Sequence, residues 1–361
     1  MAELPVITLT GTAHERGLTH GRELHDRIAA NVDLYRGRLA DDAGLTPAEI
    51  AERVELYLSV FTRLDPEYRA AMEGIAEGSE QSLEDIVMLN ARFELLYSAW
   101  SAAGTTPPSE CTGFGAEAGV TDDGKRWIGQ NWDWFPGVAG ALLTWRDNDV
   151  SVLAYTEAGI AGPKIGVNSA GIGLCVNGLG CDADDWRLGG MPYHLRTSRI
   201  LGSSTLKEAV AHASLDAPSC SANYVIGSAS EGIVDVETSP VGSRRIPCAP
   251  DATLVHANHF LDPNALGVKE TWRTWPATTF RRQERLETLL AATRPLSVDA
   301  VETALRDHEG GSFALCRHPD MELPEPQRIH TAFSAVIDLT DGVLRYTEGP
   351  PCESQPVEAR L

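Results

Sequence analysis

The sequence lacks the features that mark several large classes of protein. Its 361 residues contain no run of about 18 apolar residues, the length that a membrane-spanning helix needs. The first five residues, Met1-Ala2-Glu3-Leu4-Pro5, have neither the basic nor the apolar stretch of a secretory signal. We therefore expect no membrane partner and a cytoplasmic location.

Basic residues are also scarce. Thirty Lys and Arg residues stand against 51 Asp and Glu residues, which gives a formal net charge of −21. A nucleic-acid partner is not expected, because binding to phosphates requires a dominant basic surface. The same shortage leaves no evident site for the phosphates of coenzyme A, which slightly favours a hydrolase over an acyltransferase that uses coenzyme A thioesters.

The seven cysteines have no paired spacing and no Cys-x-x-Cys motif, so neither a disulfide framework nor a structural metal site is expected. The segment His256-Ala257-Asn258-His259 would not bind a metal if it were a strand, because residues three apart then face opposite sides. The glycines match no dinucleotide or phosphate loop, and there is no Gly-x-Ser-x-Gly elbow. No cofactor is therefore expected.

The chain changes character near residue 105. Residues 14–100 are predicted to be helical, with a capping box at Thr46 and a second helix start at Ser82. Residues 102–109 form a Pro-interrupted linker. Strands then predominate, at 112–120, 126–131, 142–155, 165–167, 172–177, 224–227, 233–237, 254–259, 332–339 and 343–347. The first two are expected to form a hairpin, and helical stretches are expected at 193–212 and at 279–308, the latter broken near Pro295. This order indicates an α+β layered sandwich with a helical N-terminal segment.

Cys111 follows this linker and precedes a predicted strand. A thiol there can attack the carbonyl of Glu110, and hydrolysis of the resulting thioester would leave Cys111 as a new amino terminus. The freed amine, with an unperturbed pKa of about 7.7–8.0, could then serve as the base for the thiol. A buried, inert cysteine is the alternative interpretation.

Two other polar residues are candidates for a site. Strand alternation puts Asn131 and Asp133 on one face and Trp132 on the other, so Asp133 could orient a substrate amine or simply cap the strand end. Asn258 could donate to an oxyanion, or it could be a buried amide with satisfied hydrogen bonds.

These residues belong to a longer series of motifs. In chain order the motifs are Gly11-Thr12-Ala13-His14-Glu15-Arg16-Gly17, His20-Gly21, Gly74-Ile75-Ala76-Glu77-Gly78, Ile86-Val87-Met88-Leu89-Asn90, Cys111-Thr112, Gly129-Gln130-Asn131-Trp132-Asp133, Glu157-Ala158-Gly159-Ile160, Val167-Asn168-Ser169-Ala170-Gly171, Glu237-Thr238-Ser239-Pro240 and His256-Ala257-Asn258-His259. In this order and spacing the chain resembles the penicillin acyltransferase (isopenicillin N acyltransferase) family of N-terminal-nucleophile hydrolases.

The resemblance implies a four-layer αββα sandwich and cleavage between Glu110 and Cys111. Residues 1–110 and 111–361 would remain together as a heterodimer, and a homo-oligomer is left open. Cys111 would be the nucleophile and Asn258 the oxyanion donor. The substrate would contact Asp133, Ser239 and an arginine, for which Arg328 is the best match and Arg317 the runner-up.

The function implied is hydrolysis or transfer of the acyl group of a small amide, such as an N-acyl amino acid, a peptide-like compound or a β-lactam relative. Asp133 and Arg328 carry opposite charges and would suit a zwitterion. Glu110, Gly113 and Gln327 depart from the family pattern around the chemistry and leave the substrate open. The alternative function is a non-catalytic small-molecule binding protein that is never cleaved.

Overall fold

The computed structural model describes residues 4–104, 111–147, 149–271 and 278–361, and it opens with one strand and five helices. They are β1 (Val6–Leu9), α1 (Ala13–Glu23), α2 (His25–Asp41), α3 (Pro47–Leu64), α4 (Pro66–Ser79) and α5 (Leu83–Ala103). Both predicted helix starts are confirmed: Thr46 forms a capping box with Glu49, and Ser82 accepts from the N–H of Asp85. Helix α5 runs into the predicted linker, whose residues 105–109 lie outside the described residues.

Glycines of the recognised motifs bring α1 and α4 into close contact. A Cβ at Gly17 would lie 2.1 Å from the carbonyl oxygen of Ala71, and a Cβ at Gly74 would lie 2.1 Å from that of His14. No larger residue fits without moving the backbone of the other helix. These glycines are therefore required by helix packing.

Thirteen further strands of the described chain form two sheets with β1. They are β2 (Thr112–Ala116), β3 (Trp127–Trp134), β4 (Gly140–Asp147), β5 (Val150–Glu157), β6 (Ile165–Asn168), β7 (Ile172–Gly178), β8 (Ala222–Ser228), β9 (Gly232–Ser239), β10 (Gly242–Pro247), β11 (Thr253–His256), β12 (His330–Asp338), β13 (Val343–Glu348) and β14 (Val357–Arg360). One sheet has the order β1-β4-β5-β6-β7-β8-β9-β10 and the other β11-β2-β3-β12-β13-β14. Neighbouring strands are antiparallel except β1 and β4.

The two sheets pack face to face between layers of helices. A Cβ at Gly173 of β7 would lie 2.8 Å from Ile128 Cδ1 of β3, which shows how closely the sheets approach. The remaining helices are α6 (Tyr193–Leu201), α7 (Leu206–Ser214), α8 (Pro263–Leu266), α9 (Thr278–Ala292) and α10 (Val298–Leu305). Helices α6 and α7 contact the eight-stranded sheet, whereas α9 and α10 contact the six-stranded sheet. The expected αββα sandwich with a helical N-terminal segment is confirmed.

Several element boundaries differ from the prediction. The expected strand 142–155 is the hairpin of β4 and β5, because the polar residues around Asp149 form its turn. The expected helix 193–212 is broken between α6 and α7 at Gly202, and the strand at 254–259 ends at His256. The prediction also missed β1, β10 and β14, three short edge strands with weak alternation. The break near Pro295 and the hairpin of β2 and β3 are confirmed.

No helix in the described ranges is both long and apolar enough to cross a membrane.

Candidate active site

Cys111 directly precedes β2, and hydrogen bonds hold its main chain from both sides. Its N–H donates to Asn258 Oδ1 over 2.6 Å, and its carbonyl oxygen accepts from Arg282 Nη1 over 2.6 Å. Strand β2 lies between β3 and β11, and Asn258 follows the end of β11. Neighbouring strands thus bring together two residues that are 147 positions apart in sequence.

Asn258 presents its amide oxygen to Cys111. Its Nδ2 donates to the carbonyl oxygen of Gly178 over 3.0 Å, and its N–H donates to Thr279 Oγ1 over 2.8 Å. In this geometry the side chain of Asn258 orients the nitrogen of Cys111. Donation from Asn258 to an oxyanion remains a prediction, because its Nδ2 donates to the carbonyl oxygen of Gly178.

Arg282 is a residue of the site that the sequence analysis missed. Besides the Cys111 carbonyl, it donates to Thr112 Oγ1 over 2.6 Å and to Asn258 Oδ1 over 3.2 Å. Its side chain is buried although it lies on α9, a helix with many charged residues. Nothing in the sequence separates it from its neighbour Arg281, so only the fold reveals the contact.

The Cys111 thiol borders a small cavity between the sheets and α5. The cavity holds about 10 Å³, roughly the room of one water molecule. Half of its ten lining residues are aromatic: Arg92, Phe93, Tyr97, Cys111, Trp132, Trp134, Lys164, Val176, Gly178 and Tyr193. An apolar group fits this lining, but a substrate must displace side chains to enter.

A buried charge network forms one wall of this cavity. Glu157 accepts hydrogen bonds from Arg92, Lys164 and Tyr35, and all four side chains are buried. The Lys164 ammonium also lies 3.6 Å from the centroid of the Trp132 ring. Two cations therefore share one carboxylate beside the thiol, and the aromatic face stabilises the second cation.

Burial sets the protonation of the groups around the cavity. It raises the pKa of the Cys111 thiol to about 12, and the charge of Asp133 adds to this effect. Burial also lowers the pKa of Lys164 to about 7, against the attraction of Glu157. The thiol is therefore protonated at neutral pH, so it requires a nearby base before it can act as a nucleophile.

Asp133 lies on the other face of β3 from this cavity, as predicted from strand alternation. Trp132 faces Tyr155 between the sheets, whereas Asn131 Nδ2 donates to the carbonyl oxygens of Leu305 and Leu315 on the side of α10. Asp133 Oδ1 accepts from Thr331 Oγ1 over 2.7 Å.

The structure does not place the predicted arginine, Arg328, against Asp133. Its Nε donates to the carbonyl oxygen of Leu323 over 3.0 Å, so its guanidinium is bonded to the main chain of the loop that precedes it. The runner-up, Arg317, is tied to the Asp133 region through its main chain. Its N–H donates to Thr331 Oγ1, the hydroxyl that in turn donates to Asp133.

The two other predicted site residues are Ser239 and Glu110. Ser239 is buried at the end of β9, and its hydroxyl donates to the carbonyl oxygen of Gly242 in its own hairpin. Within the described part of the chain it makes no hydrogen bond to Cys111 or Asp133. Glu110, the residue before the expected cut, lies outside the described residues.

His256 and His259 were expected to face opposite sides of one strand, which the structure shortens. The strand ends at His256, and the two rings lie 6.2 Å apart rather than on opposite faces. His256 Nε2 instead contacts Glu237 Oε1 at 3.1 Å and Asp235 Oδ2 at 3.7 Å. Burial acts to lower the pKa of His256, but these two carboxylates raise it to about 9.

Comparison with known proteins agrees with the motifs. A family model described as acyl-coenzyme A:6-aminopenicillanic acid acyl-transferase matches residues 120–353. The 40 kDa form of an acyl-coenzyme A:6-aminopenicillanic-acid-acyltransferase from Emericella nidulans is 28% identical over 318 residues, which cover 86% of this chain and 84% of that protein. These findings confirm the family resemblance identified from the sequence.

Solved structures with a similar course of the chain are more distant. A conjugated bile acid hydrolase from Clostridium perfringens, solved as a C2A mutant, is 12% identical, with a TM-score of 0.48 over 70% of this chain and 92% of its own. An N-acylethanolamine-hydrolyzing acid amidase ortholog from Caenorhabditis elegans is 15% identical, with a TM-score of 0.46 over 64% and 93%.

Proposed function

Because this chain belongs to the acyl-coenzyme A:6-aminopenicillanic acid acyl-transferase family, we propose that it is a self-processing cysteine enzyme that acts on a small amide. The observation that carries the proposal is the position of Cys111. Asn258 and Arg282 fix its nitrogen and carbonyl, and its thiol borders an aromatic cavity.

Processing starts when Cys111 Sγ attacks the carbonyl carbon of Glu110. The carbon–nitrogen bond between the two residues breaks, the acyl group moves to sulfur, and the nitrogen of Cys111 becomes an amine. Water then hydrolyses the thioester, which leaves a carboxylate on Glu110 and a free thiol on Cys111. The hydrogen bond to Asn258 Oδ1 supports this step because it holds the departing nitrogen.

The same thiol then attacks the substrate amide. Because burial raises the pKa of the thiol to about 12, it requires a base within reach, and the new α-amine on the same residue meets this need. The amine takes the thiol proton and passes it to the leaving nitrogen of the substrate. Water or an acceptor amine then removes the acyl group from sulfur.

The acyl group of the substrate is proposed to enter the aromatic cavity, whose lining favours an apolar or aromatic group. The remainder of the substrate would extend past Cys111 toward Asp133, which lies on the other face of β3 but whose charge acts on the Cys111 thiol. Arg317 would take the place of Arg328 as the anchor for a carboxylate. The contact of Arg317 with Thr331, and of Thr331 with Asp133, supports this exchange of roles. A substrate derived from an amino acid fits both charges.

Acyl transfer is the second candidate function, and family membership favours it. A cleft of about 660 Å³, whose lining includes Arg281, Arg282 and Arg285 together with Glu284 and Glu309, lies next to the residues that hold Cys111. Incubation of a panel of N-acyl amino acids and β-lactams, with and without acyl-coenzyme A thioesters, separates the two reactions. Mass spectrometry of the products identifies water or an amine as the acceptor.

Intact mass under denaturing conditions tests the proposed processing. We expect two fragments, the heavier beginning at Cys111, and a single inactive chain for Cys111→Ala. Cys248→Ser serves as the matched control and should be cut normally, since Cys248 is half-buried and its thiol donates to the carbonyl oxygen of Ala252, away from the residues that hold Cys111. A full-length wild-type chain would instead favour the uncleaved binding protein.

A further inference from the structure

Four metal-binding side chains converge at one end of the six-stranded sheet, and none of them is a predicted catalytic residue. They are His308, Cys316, His318 and Cys352, and one ligand atom from each lies within 4.8 Å of all the others. His308, Cys316 and His318 come from the connection between α10 and β12, and Cys352 comes from the connection between β13 and β14. Two separate connections thus meet at this cluster.

Four of the six distances between the ligand atoms are close to those of a tetrahedron around one ion, and the two from His308 to the cysteines are no longer than 4.8 Å. His308 Nε2 and His318 Nε2 are 3.2 Å apart, Cys316 Sγ and Cys352 Sγ are 3.5 Å apart, and His318 Nε2 is 3.2 Å from Cys352 Sγ and 3.9 Å from Cys316 Sγ. Bonds of about 2.3 Å to sulfur and 2.0–2.1 Å to nitrogen predict edges of about 3.3–3.8 Å between tetrahedral ligands. The two sulfurs are also too far apart for a disulfide, whose bond is about 2.05 Å.

A neighbouring carboxylate favours the tautomer of His318 that can bind a metal, in which Nδ1 carries the proton and Nε2 is free to be a ligand. His318 Nδ1 lies 3.2 Å from Glu353 Oε1, so it can donate its proton there while Nε2 faces the cysteines. Such a carboxylate–histidine pair orients the ring and raises the basicity of the ligand nitrogen. His308 and Cys352 are exposed, so an ion can reach the cluster from solvent, whereas Cys316 is buried.

We propose that these four residues bind a structural Zn²⁺ ion. Two thiolates and two neutral imidazoles form a closed tetrahedral set, which zinc favours and which leaves no position for a substrate or catalytic water. Two thiolates also balance the charge of the ion, so the site adds no net charge to the sheet. The expectation of no metal site depended on the absence of Cys-x-x-Cys, whereas here the second cysteine, Cys352, lies 34 residues after His318.

The ion would fasten the segment that carries Arg317 between two of its ligands. The main chain of Arg317 pairs in both directions with Thr331: its N–H donates to Thr331 Oγ1, and its carbonyl oxygen accepts from the N–H of Thr331. The carbonyl oxygen of Leu315 accepts from Asn131 of β3. The proposed zinc therefore stabilises the loop that lies over Asp133 and does not itself take part in the reaction.

The test measures metal content in the full protein after removal of any affinity tag. We expect one zinc ion per chain by elemental mass spectrometry, and a nanomolar or tighter Kd in competition with a chromogenic chelator. Cobalt substitution should produce thiolate-to-cobalt absorption. Cys352→Ser and His308→Ala, both at exposed positions, should weaken Zn²⁺ binding at least about 100-fold, since loss of a mere outer-shell partner costs about 10–100-fold. Glu353→Gln should weaken it about tenfold.

Cys248→Ser is the matched control and should retain zinc in full, since it removes a cysteine outside the cluster. If the Cys352→Ser and His308→Ala variants bind zinc as tightly as the wild-type protein does, the proposal is overturned. It is also overturned if the wild-type protein takes up no added Zn²⁺. A wild-type mass lower by two hydrogens, with Cys316 and Cys352 linked in a peptide map, would identify a disulfide and equally refute it. Because the readout is metal content, failure here is separable from failure of the proposed enzymatic function.

Discussion

Cys111 and Cys352 show how surroundings decide what a thiol can do. Cys111 is 3% exposed, its main chain is fixed by Asn258 and Arg282, and the described residues place no imidazole in hydrogen-bond contact with its sulfur. Cys352 is exposed, and its sulfur lies within 3.5 Å of both another sulfur and an imidazole nitrogen. The first arrangement favours a nucleophile that depends on its own amine, whereas the second favours a metal ligand.

We expect the largest effect from removing the hydrogen bonds that Arg282 donates to Cys111 and its neighbours. Arg282→Met should slow self-cleavage about 100-fold or more, because it leaves the acceptors on Cys111, Thr112 and Asn258 without their charged donor. The rate is measured by intact mass after release from denaturant. The same substitution at the exposed neighbouring residue, Arg281→Met, is the control. Equal rates in both variants would show that the guanidinium does not position the nucleophile.

A smaller effect concerns the arginine that lies between the two regions. Arg317→Met should lower kcat/KM about ten- to a hundredfold for substrates with a carboxylate, and leave substrates without one unchanged. Arg328→Met should change neither, because its guanidinium binds carbonyls of its own loop. Steady-state kinetics on paired substrates provides the measurement. Equal losses on both substrates would make Arg317 purely structural.

His256, two residues before Asn258, lies against two buried carboxylates, and its effect on stability can be measured. His256 has a folded-state pKa of about 9 against an ordinary 6.5, so its protonated form stabilises the fold fully below pH 6.5, and this contribution is lost as the pH rises through 9. His256→Gln should remove about 1–3 kcal/mol of pH-dependent unfolding free energy.

This measurement compares urea unfolding at pH 6 and pH 9.5 in the uncut Cys111→Ala background. His14→Gln, at a half-exposed position, is the control. A pH dependence that stays the same in His256→Gln would assign it to other groups.

The smallest effect tests which base serves Cys111. Activity should rise through roughly pH 7–8 as the α-amine loses its proton. Lys164 borders the same cavity and has a pKa of about 7, so it is the competing base. Lys164→Met should keep the rising limb of the pH profile, with Lys125→Met at the protein surface as control. Disappearance of that limb would make Lys164 the base.

Much of the fold follows from local sequence signals. The capping residue Thr46, the break at Pro295 and the alternation around Asp133 each act within a few residues, so the sequence predicts them directly. The three missed strands are short edges, whose pairing depends on neighbours far away in sequence. The hairpin of β4 and β5 was hidden within one long β-prone run.

The candidate site was predictable only where a family motif carried it. Cys111 and Asn258 were found through motifs, and the fold brings them into contact. Arg282 and the cluster around Cys352 follow no motif, because tertiary packing alone selects one arginine of α9 and brings the ligands of two connections together. Arg328 was chosen by its distance from a strand, but the turn before that strand directs its side chain away from Asp133.

Helix α5 and strand β1 belong to the fragment that the proposed cut would detach. Arg92 of α5 is buried against Glu157 of β5, and β1 pairs with β4, so separation of the fragments would leave charges without partners in the interior and expose a sheet edge. In a cleaved protein, unfolding would become a dissociation that depends on protein concentration, and the released pieces would have lost the covalent tether that guided their first folding. The lifetime of such a protein would then be governed by a rate of opening, and each molecule would assemble only once.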